Sequence, residues 1–334
     1  MMAASGNVLI FTEQNEGVVH PVAFELLGKG RQLADRLGVE LSAILLGHDV
    51  REKADELVRY GADLVYVFDH PSLAEFDVVQ YSRNIVKLAE ETKPSVFLFG
   101  ATRLGRSLAP RVAAALRTGL TADCVDLGLD GDGNLVQVRP AFSGNIMAQV
   151  KTKTRPQMAT VRYKVMKANV KDPSRKGKVV MKDAVVLGDT GLRILERSKA
   201  DEVNLPEAEV IVTGGRGLKG PGDFGLLEEL ARVLGGVVGS SRPLVDAGWI
   251  GRDHQVGFSG RTVKPRMYVA VGVSGSPQHL FGMRDSDTII AINKDASAPI
   301  FGVADYGVVG DLYEFLPLLI RELKALKERM RGEH

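Results

Sequence analysis

The chain has 334 residues, of which 45% are hydrophobic and 25% are charged, and its formal net charge is +2 at pH 7. This length predicts two globular domains, and the small net charge argues against bulk electrostatic binding to nucleic acid or to a membrane surface. The single cysteine, Cys124, excludes an internal disulfide and a cysteine-based metal cluster, and no apolar run is long enough to span a bilayer. We therefore expect a cytoplasmic protein without a signal or transit peptide, since the first predicted strand begins almost at the N-terminus.

Short apolar strands alternate with helix-patterned segments through the first half of the chain. The predicted strands cover residues 7–12, 41–46, 64–68 and 96–99, and the predicted helices cover residues 21–37, 50–60, 76–91 and 106–116. Gly38 and Gly61 follow two of these helices, at the position where glycine commonly ends a helix. This alternation predicts an α/β fold with a doubly wound parallel sheet.

The pattern changes after Thr118. Residues 130–133, Asp-Gly-Asp-Gly, predict a tight turn between strands at 124–129 and 135–141, and further strands are predicted at 145–152 and 157–165. We expect these strands to lie antiparallel on the edge of the first sheet. A charged segment at 196–206 then predicts a domain boundary, with an N-terminal domain at residues 1–200 and a second domain at residues 201–334.

A glycine-rich string opens the second domain. It follows a predicted strand at 208–213, matches Gly-x-Gly-x-x-Gly at residues 215–220, and precedes a predicted helix at 224–234 with Asp223 at its cap. Glycines let a backbone approach a phosphate closely, and a helix N-terminus offers free N–H groups. Pro221 intervenes before the helix, and a plain tight turn has the same composition, so both interpretations stay open.

Three further apolar segments are each followed by a polar turn. They cover residues 267–273, 288–292 and 300–303, and we expect all three to be strands of a second parallel sheet. Ligands of such sheets bind at the carboxyl ends of the strands. The three turns therefore predict one nucleotide site at one edge of the sheet.

Each polar residue in these turns also has an ordinary structural interpretation. Arg242 alone is typical of a solvated arginine, and His279 of a core histidine with satisfied hydrogen bonds. Serine, asparagine and aspartate in such turns commonly cap helices. The other five histidines show no ligand spacing, Cys124 is typical of a buried inert thiol, and no nucleophile elbow indicates hydrolase chemistry.

The order of the motifs in the second domain is specific, although no single motif is. Gly-Gly-Arg-Gly begins at 214, Gly-Ser-Ser-Arg-Pro at 239, Asp-Ala-Gly-Trp at 246 and Gln-Val-Gly-x-Ser-Gly at 255. Val-Gly-Val-Ser-Gly-x-x-Gln-His-Leu-x-Gly-Met begins at 271, Ile-Ala-Ile-Asn-Lys-Asp at 290 and Val-Ala-Asp-Tyr-Gly-Val-Val-Gly-Asp-Leu at 303. Over residues 208–315 this set resembles the alpha subunit of electron transfer flavoproteins, and the first half resembles that family's N-terminal domain in layout.

The resemblance implies a heterodimer with a beta subunit, which the N-terminal domain contacts, and an FAD held mainly by the second domain. It implies that Arg242 lies over the isoalloxazine ring and that His279 lies near the flavin C2 carbonyl, so that both tune the flavin's redox potential. A cation near N1 and C2=O favours the reduced flavin, because that form carries negative charge there. The resemblance implies further FAD contacts at Arg216, Ser241, Val256, Gly257, Ser259, Ser274, Gly275, Gln278, Asn293 and Asp311.

Two positions depart from the pattern of the family. Phe258 stands where many relatives have glutamine, so one polar flavin contact is expected to be absent or replaced. Ser276 and Pro277 stand in a loop where many relatives have Gly-Ala-Ile, and proline removes a hydrogen-bond donor.

A helix predicted at 312–331 completes the domain. Its apolar side has two interpretations, packing on the second sheet and contact with the beta subunit.

The family implies an electron carrier rather than a stand-alone enzyme. The expected role is to shuttle electrons from flavin dehydrogenases of the acyl-CoA dehydrogenase type, as in fatty acid beta-oxidation, to a membrane quinone oxidoreductase. The alternative is the alpha subunit of an electron-bifurcating flavoprotein that uses NADH, with a second FAD in the beta subunit. A third candidate, from another class, is a nucleotide-binding enzyme on a similar sheet, which would bind NAD or thiamine and be colourless.

Overall fold

The computed structural model describes residues 6–141, 146–194 and 203–332. The chain divides into two compact units, Met1–Leu195 and Glu196–His334. The boundary that the sequence predicts, between residues 200 and 201, lies outside the described residues. None of the helices in the described ranges is long and apolar enough to cross a membrane.

The first unit is built from twelve strands and four helices within its described residues. In chain order they are β1 (Val8–Thr12), β2 (Gln14–Asn15), β3 (Val18–Val19), α1 (Pro21–Leu37), β4 (Leu41–Gly47), α2 (Ala54–Arg59), β5 (Leu64–Asp69), α3 (Val78–Thr92), β6 (Val96–Gly100), α4 (Arg103–Ala115), β7 (Leu120–Cys124), β8 (Asp126–Leu129), β9 (Leu135–Ala141), β10 (Ile146–Val150), β11 (Gln157–Val161) and β12 (Lys178–Met181).

A seven-stranded sheet in the order β12-β5-β4-β1-β6-β11-β7 forms the centre of this unit, and all its strand pairs are parallel. The apolar sides of α1 and α2 pack on one face, and those of α3 and α4 pack on the other. Apolar surface is thereby removed from water on both faces, which explains why the central strands are apolar throughout. The predicted doubly wound sheet is confirmed.

Two predictions for the region after Thr118 are wrong in detail. The expected strand at 124–129 is two strands, β7 and β8, and β7 belongs to the large sheet. Strand β11, expected among antiparallel edge strands, pairs in parallel between β6 and β7. Its polar Gln157 is buried because its side chain accepts a hydrogen bond from the Leu135 amide at 2.7 Å and donates one to the Thr152 carbonyl at 2.7 Å. Of the strands described after Thr118, β8, β9 and β10 form a separate antiparallel sheet.

The single cysteine ends β7 with its side chain fully buried. Sγ of Cys124 lies 3.5 Å from the carbonyl oxygen of Thr121. Burial raises the pKa of the thiol to about 12, so the thiolate is scarcely populated at neutral pH. The expected burial of the thiol is confirmed.

The second unit is smaller and its sheet is also parallel. Its elements are β13 (Val210–Gly214), α5 (Phe224–Leu234), β14 (Val237–Ser240), α6 (Arg242–Asp246), β15 (Met267–Val271), α7 (Pro277–Leu280), β16 (Ile289–Asn293), β17 (Tyr306–Val309) and α8 (Leu312–Gly332). The strand order is β14-β13-β15-β16-β17. Helices α5 and α8 pack on one face, where Leu316 of α8 is fully buried, and loops and short helices cover the other.

Of the strands predicted in this unit, the one at residues 300–303 is wrong. Residues 300–303 fall in a short 3-10 helix, Pro299–Gly302, and the edge strand β17 follows at Tyr306–Val309, where a turn was expected. Pro299 has no N–H group to donate to a sheet, which favours the helical turn. Strand β17 escaped prediction because most of its side chains are exposed and give no apolar pattern.

Candidate functional site

The carboxyl ends of β13, β14 and β15 are joined by main-chain hydrogen bonds. The amide of Gly215, just after β13, donates to the carbonyl of Val271 at 2.9 Å, and the amide of Ser241, just after β14, donates to the carbonyl of Gly214 at 2.9 Å. These bonds hold the three loops that leave the sheet against one another. The edge at which a ligand was predicted is therefore a single assembled surface.

Glycine is required where the first and third of these loops meet. A Cβ on Gly215 would lie 2.4 Å from the carbonyl oxygen of Gly272, and a Cβ on Gly217 would lie 2.7 Å from the Cα of Gly272. Gly272 itself has φ +61, a conformation that other residues rarely adopt. The glycines of the Gly-x-Gly-x-x-Gly string therefore serve first to bring two loops into backbone contact.

Most amides of the glycine string are bonded within the protein. The amides of Lys219 and Gly220 donate to Asp223 at 2.7 and 3.0 Å, and the amide of Gly217 donates to the Gly272 carbonyl at 2.9 Å. Asp223 occupies the N-cap position of α5, as predicted, but its side chain bonds to the amides of this loop rather than to those of the helix. The string therefore offers a ligand chiefly the exposed side chain of Arg216 rather than a row of free amides.

The loop after β15 has the free amides that the glycine string lacks. No amide from Val273 to Ser276 has a hydrogen-bond acceptor among the described residues. Gly275 has φ +86, and a Cβ there would lie 2.3 Å from the amide nitrogen of Ile300. Consecutive amides around residues of positive φ form concave sites that bind anionic or carbonyl oxygens. Ser274, which lies in this loop, is exposed.

His279 lies at the end of the same loop with one ring nitrogen unbonded. Its side chain is buried, and its Nε2 is 3.0 Å from the hydroxyl of Tyr268. Its Nδ1 is buried without a hydrogen-bond partner among the described residues. Burial lowers the pKa of His279 to about 4, an effect that the nearby carbonyl of Val256 partly opposes. The expected satisfied core histidine is thus half correct, because only one nitrogen is satisfied.

The loop that follows β14 passes next to His279. The amide of Phe258 donates to the carbonyl of Gln278 at 2.8 Å, and Gly257, at φ +137, leaves no room for a side chain beside that carbonyl. Ser259 is exposed, and its hydroxyl accepts a 3.0 Å hydrogen bond from the buried Gln255. The structure therefore brings Val256, Gly257, Gln278 and His279 together. Phe258, the first departure, is exposed, and its ring contacts Phe281.

Asn293 and Asp311 both have local structural partners. Asn293 donates to the carbonyl of Val273 at 2.9 Å and accepts from the Asp295 amide at 3.0 Å. Asp311 accepts from the amide of Tyr313 at 2.8 Å, at the start of α8. Asn293 is thereby joined to the loop with free amides, whereas Asp311 acts as the helix cap that the sequence allowed.

Arg242 is not drawn into the buried part of the site. Its side chain is 65% exposed and its Nε is 3.1 Å from Asp246, one helical turn further along α6. No hydrogen bond or ion pair joins it to His279 or to another predicted contact in the described part of the chain. Ser241, the preceding residue, is buried. Arg242 is therefore a long, exposed cation at the surface of the site rather than a buried charge.

Sequence reasoning missed three residues that build this site. Tyr268 is fully buried in β15 and contacts His279, and Thr213 is buried in β13 with its hydroxyl unbonded among the described residues. Gln255 is buried behind Ser259. These residues could have been found as polar groups inside otherwise apolar segments, because a buried polar group needs a hydrogen-bond partner.

Comparison with known proteins identifies the family. The family described as "Electron transfer flavoprotein domain" matches residues 8–187, and "Electron transfer flavoprotein FAD-binding domain" matches residues 204–284. The chain is 52% identical over 325 residues to an electron transfer flavoprotein subunit alpha of Thermoanaerobacterium thermosaccharolyticum, covering 96% of this chain and 98% of that protein. It is 49% identical over 333 residues to the subunit of the same name from Megasphaera elsdenii, covering 98% of each chain.

A third relative carries a different name. Lactate dehydrogenase (NAD(+),ferredoxin) subunit LctC of Acetobacterium woodii is 47% identical over 323 residues, covering 95% of this chain and 77% of that protein.

The chemistry of the site fits an FAD. The free amides of the loop after β15 and the exposed guanidinium of Arg216 are donors, the unbonded Nδ1 of His279 is a donor in one of its two neutral tautomers, and the flavin carbonyls and the pyrophosphate are acceptors. The glycines leave a backbone-lined surface that side chains would fill. The second unit is an FAD-binding domain, and the chain belongs to the electron transfer flavoprotein family as an alpha subunit.

Proposed function

We propose that the chain pairs with a beta subunit and carries electrons between partner proteins on an FAD held by its second unit. The donors are flavin dehydrogenases of the acyl-CoA dehydrogenase type, and the acceptor is a membrane quinone oxidoreductase. The chain is thus a carrier rather than a stand-alone enzyme, and we propose that it works in the cytoplasm. The observation that carries this proposal is the loop after β15, which contains a run of unbonded amides and, at its end, the unbonded Nδ1 of His279.

The predicted contacts divide into two groups on this proposal. Val256, Gly257, Gln278 and His279 are held against one another by main-chain contacts, and they would hold the isoalloxazine end with Ser241, Ser259 and Ser274 beside them. Arg216, Gly275, Asn293 and Asp311 would hold the pyrophosphate and adenosine ends. When bound, FAD supplies one- and two-electron redox chemistry that protein side chains lack.

The protein's own contribution is binding and electrostatics. His279 is neutral near pH 7, since its pKa is lowered to about 4, and it would act on the flavin as a hydrogen-bond donor rather than as a cation. Arg242 would supply the positive charge, because its guanidinium is always protonated. To act on the flavin, the side chain would have to exchange its ion pair with Asp246 for a contact with the cofactor.

The test is purification with the co-expressed beta subunit, followed by an inventory of flavin and nucleotide. We expect a yellow heterodimer that contains FAD and is reduced by an acyl-CoA dehydrogenase in the presence of its substrate. The same complex reoxidised by a quinone oxidoreductase would complete the cycle. A colourless complex that binds NAD or thiamine would overturn the proposal in favour of a nucleotide-binding enzyme.

A second candidate is the alpha subunit of an electron-bifurcating complex that uses NADH. It is favoured by the 47% identity to a chain whose name couples NAD(+) with ferredoxin. The alpha chain separates the two candidates poorly, because the nucleotide pocket that distinguishes them would lie in the beta subunit. One FAD and one AMP per heterodimer supports the carrier, whereas two FADs per heterodimer and reduction by NADH support the bifurcating complex.

A further inference from the structure

A buried tyrosine lies behind the histidine of the proposed FAD site. Tyr268, in the middle sheet strand β15, has no exposed surface, and its hydroxyl is 3.0 Å from Nε2 of His279. Burial raises the pKa of the Tyr268 phenol far above its ordinary value and lowers the pKa of His279 to about 4. Both groups are therefore uncharged near pH 7, and their contact is a hydrogen bond between neutral partners.

The phenol is the donor in this pair. Nε2 of His279 is in hydrogen-bond geometry to the Tyr268 hydroxyl, and the nearby hydroxyl of Thr213 lowers the pKa of Tyr268, which is the effect of a donor toward the phenol oxygen. A buried O–H group without an acceptor is unfavourable, so its proton points at Nε2. A neutral imidazole that accepts at Nε2 carries its own proton at Nδ1.

Nδ1 of His279 is buried and unbonded among the described residues. The carbonyl of Val256 lies near the imidazole, and Gly257 lies against the backbone of Gln278 and His279; all of these are residues of the proposed flavin site. Tyr268 contacts one ring nitrogen, and Nδ1 is the other. The protein fixes the first nitrogen, whereas no acceptor in hydrogen-bond geometry meets the second among the described residues.

We propose that Tyr268 is a positioning residue whose hydroxyl holds His279 as the Nδ1–H tautomer and thereby presents a fixed N–H donor to the flavin. The inference rests on the proposed function, because the acceptor is a carbonyl oxygen of the bound FAD. A donor at that place stabilises the negative charge of the reduced flavin. The opposite tautomer would present a lone pair there and would disfavour the same charge.

The tautomer can be measured directly by NMR. The heterodimer is prepared with 15N-labelled histidine, and two-bond proton–nitrogen correlations distinguish a protonated ring nitrogen from an unprotonated one. His279 is assigned by the signals lost in His279→Gln. We expect Nδ1 to be protonated and Nε2 to be unprotonated near pH 7, both with FAD bound and after the flavin has been removed.

Tyr268→Phe removes the hydroxyl and keeps the ring. Losing one buried hydrogen bond changes an equilibrium by a factor of about 5–30, so the ratio of Nδ1–H to Nε2–H should fall by roughly this factor. The first reduction potential of the bound FAD should shift to a more negative value. Tyr306→Phe is the matched control, because Tyr306 is 66% exposed on the edge strand β17, and it should change neither quantity.

Either of two results would overturn the inference. The first is a wild-type His279 that carries its proton on Nε2, which the wild-type spectrum decides even if Tyr268→Phe fails to fold. The second is a folded Tyr268→Phe protein with the wild-type tautomer and the wild-type potential. A heterodimer that never binds FAD would instead contradict the proposed function, and the flavin-free spectrum would still test the role of Tyr268.

Discussion

The hydroxyl of Tyr313, in the first turn of α8, donates a 2.5 Å hydrogen bond to Asp223, the residue that closes the glycine string. The same carboxylate accepts the amides of Lys219 and Gly220, and the Lys219 ammonium lies 4.2 Å from the centre of the Tyr313 ring. The hydrogen bond from Tyr313 is the main reason that the pKa of Asp223 lies below its ordinary value. The last helix therefore takes part in shaping the proposed phosphate side of the site.

Tyr313→Phe tests this link. The change keeps the ring under Lys219 and removes only the hydroxyl, so we expect the second unit to lose about 1 kcal/mol of unfolding free energy in urea. The pKa of Asp223, followed by NMR, should rise. Tyr306→Phe, on the exposed strand β17, should stay within about 0.5 kcal/mol of wild type. Equal urea midpoints for the two variants would show that the hydroxyl contributes nothing.

Two glycine-to-alanine changes should act in opposite directions. Gly215→Ala places a Cβ 2.4 Å from the backbone oxygen of Gly272, so we expect a loss of about 2 kcal/mol of stability and of most bound FAD. Gly225→Ala, in α5, meets no atom within 4 Å and should stabilise the protein by up to about 1 kcal/mol, since alanine is the better helix former. Thermal unfolding and the flavin-to-protein absorbance ratio measure both effects. Wild-type flavin content in Gly215→Ala would contradict the close packing of the two loops.

His279 should make the flavin-free protein less stable in mild acid. Its pKa is lowered from 6.5 to about 4 by burial, so between these values the unfolded chain binds a proton that the folded chain does not. Stability therefore rises with pH across this window and is fully present above it, and the loss between pH 6.5 and 4 amounts to about 3 kcal/mol.

His279→Gln should remove this component and leave the other titrations unchanged. The measurement is the urea midpoint of both proteins from pH 4 to pH 7, and the quantity of interest is the difference between the two curves. A difference that does not vary with pH would mean that His279 titrates normally in the folded protein.

Arg242→Ala should lower the first reduction potential of the bound FAD. If the guanidinium turns over the flavin ring, its charge favours the reduced form, and a tenfold change in that equilibrium corresponds to about 60 mV for one electron. Spectroelectrochemistry of the heterodimer measures the potential. Arg242→Lys keeps the positive charge and should have a potential close to that of the wild type. Arg321→Ala, which removes an exposed charge paired with Glu322 on α8, should leave the potential unchanged. An unchanged potential in Arg242→Ala would leave the arginine as the solvated side chain that its exposure suggests.

The sequence predicted the two parallel sheets well because their strands are apolar on both faces. It predicted strand β11 but not its place in the parallel sheet, because the strand contains the polar residues Gln157 and Thr160. Both are buried, since Gln157 bonds to neighbouring main chain and Thr160 accepts the Asp123 amide at 2.9 Å. Strand β17 is an edge with exposed side chains, so no apolar periodicity marks it.

Motif order named candidate residues of the site but could not give the geometry that joins them. Motif order located His279, Gln278 and Gly257, which the fold brings together. No pattern could indicate that the amides of Gly215 and Gly217 bond to carbonyls of the loop after β15, because those bonds join segments distant in sequence. The bonds from Lys219 and Gly220 to Asp223 are local, but they depend on the conformation of the turn. The contact between Tyr268 and His279 could not be predicted either, because it depends on the path of the loop after β15.

The burial of Cys124 has a practical consequence for studying this protein. Thiol reagents attack the thiolate, and the pKa of about 12 keeps that species rare in the folded chain. The native protein should therefore not react with Ellman's reagent or maleimides, and its own cysteine would not need to be mutated before labelling. A cysteine introduced on any exposed surface would be the one reactive site, so fluorescent or spin probes could be attached to the wild-type framework directly.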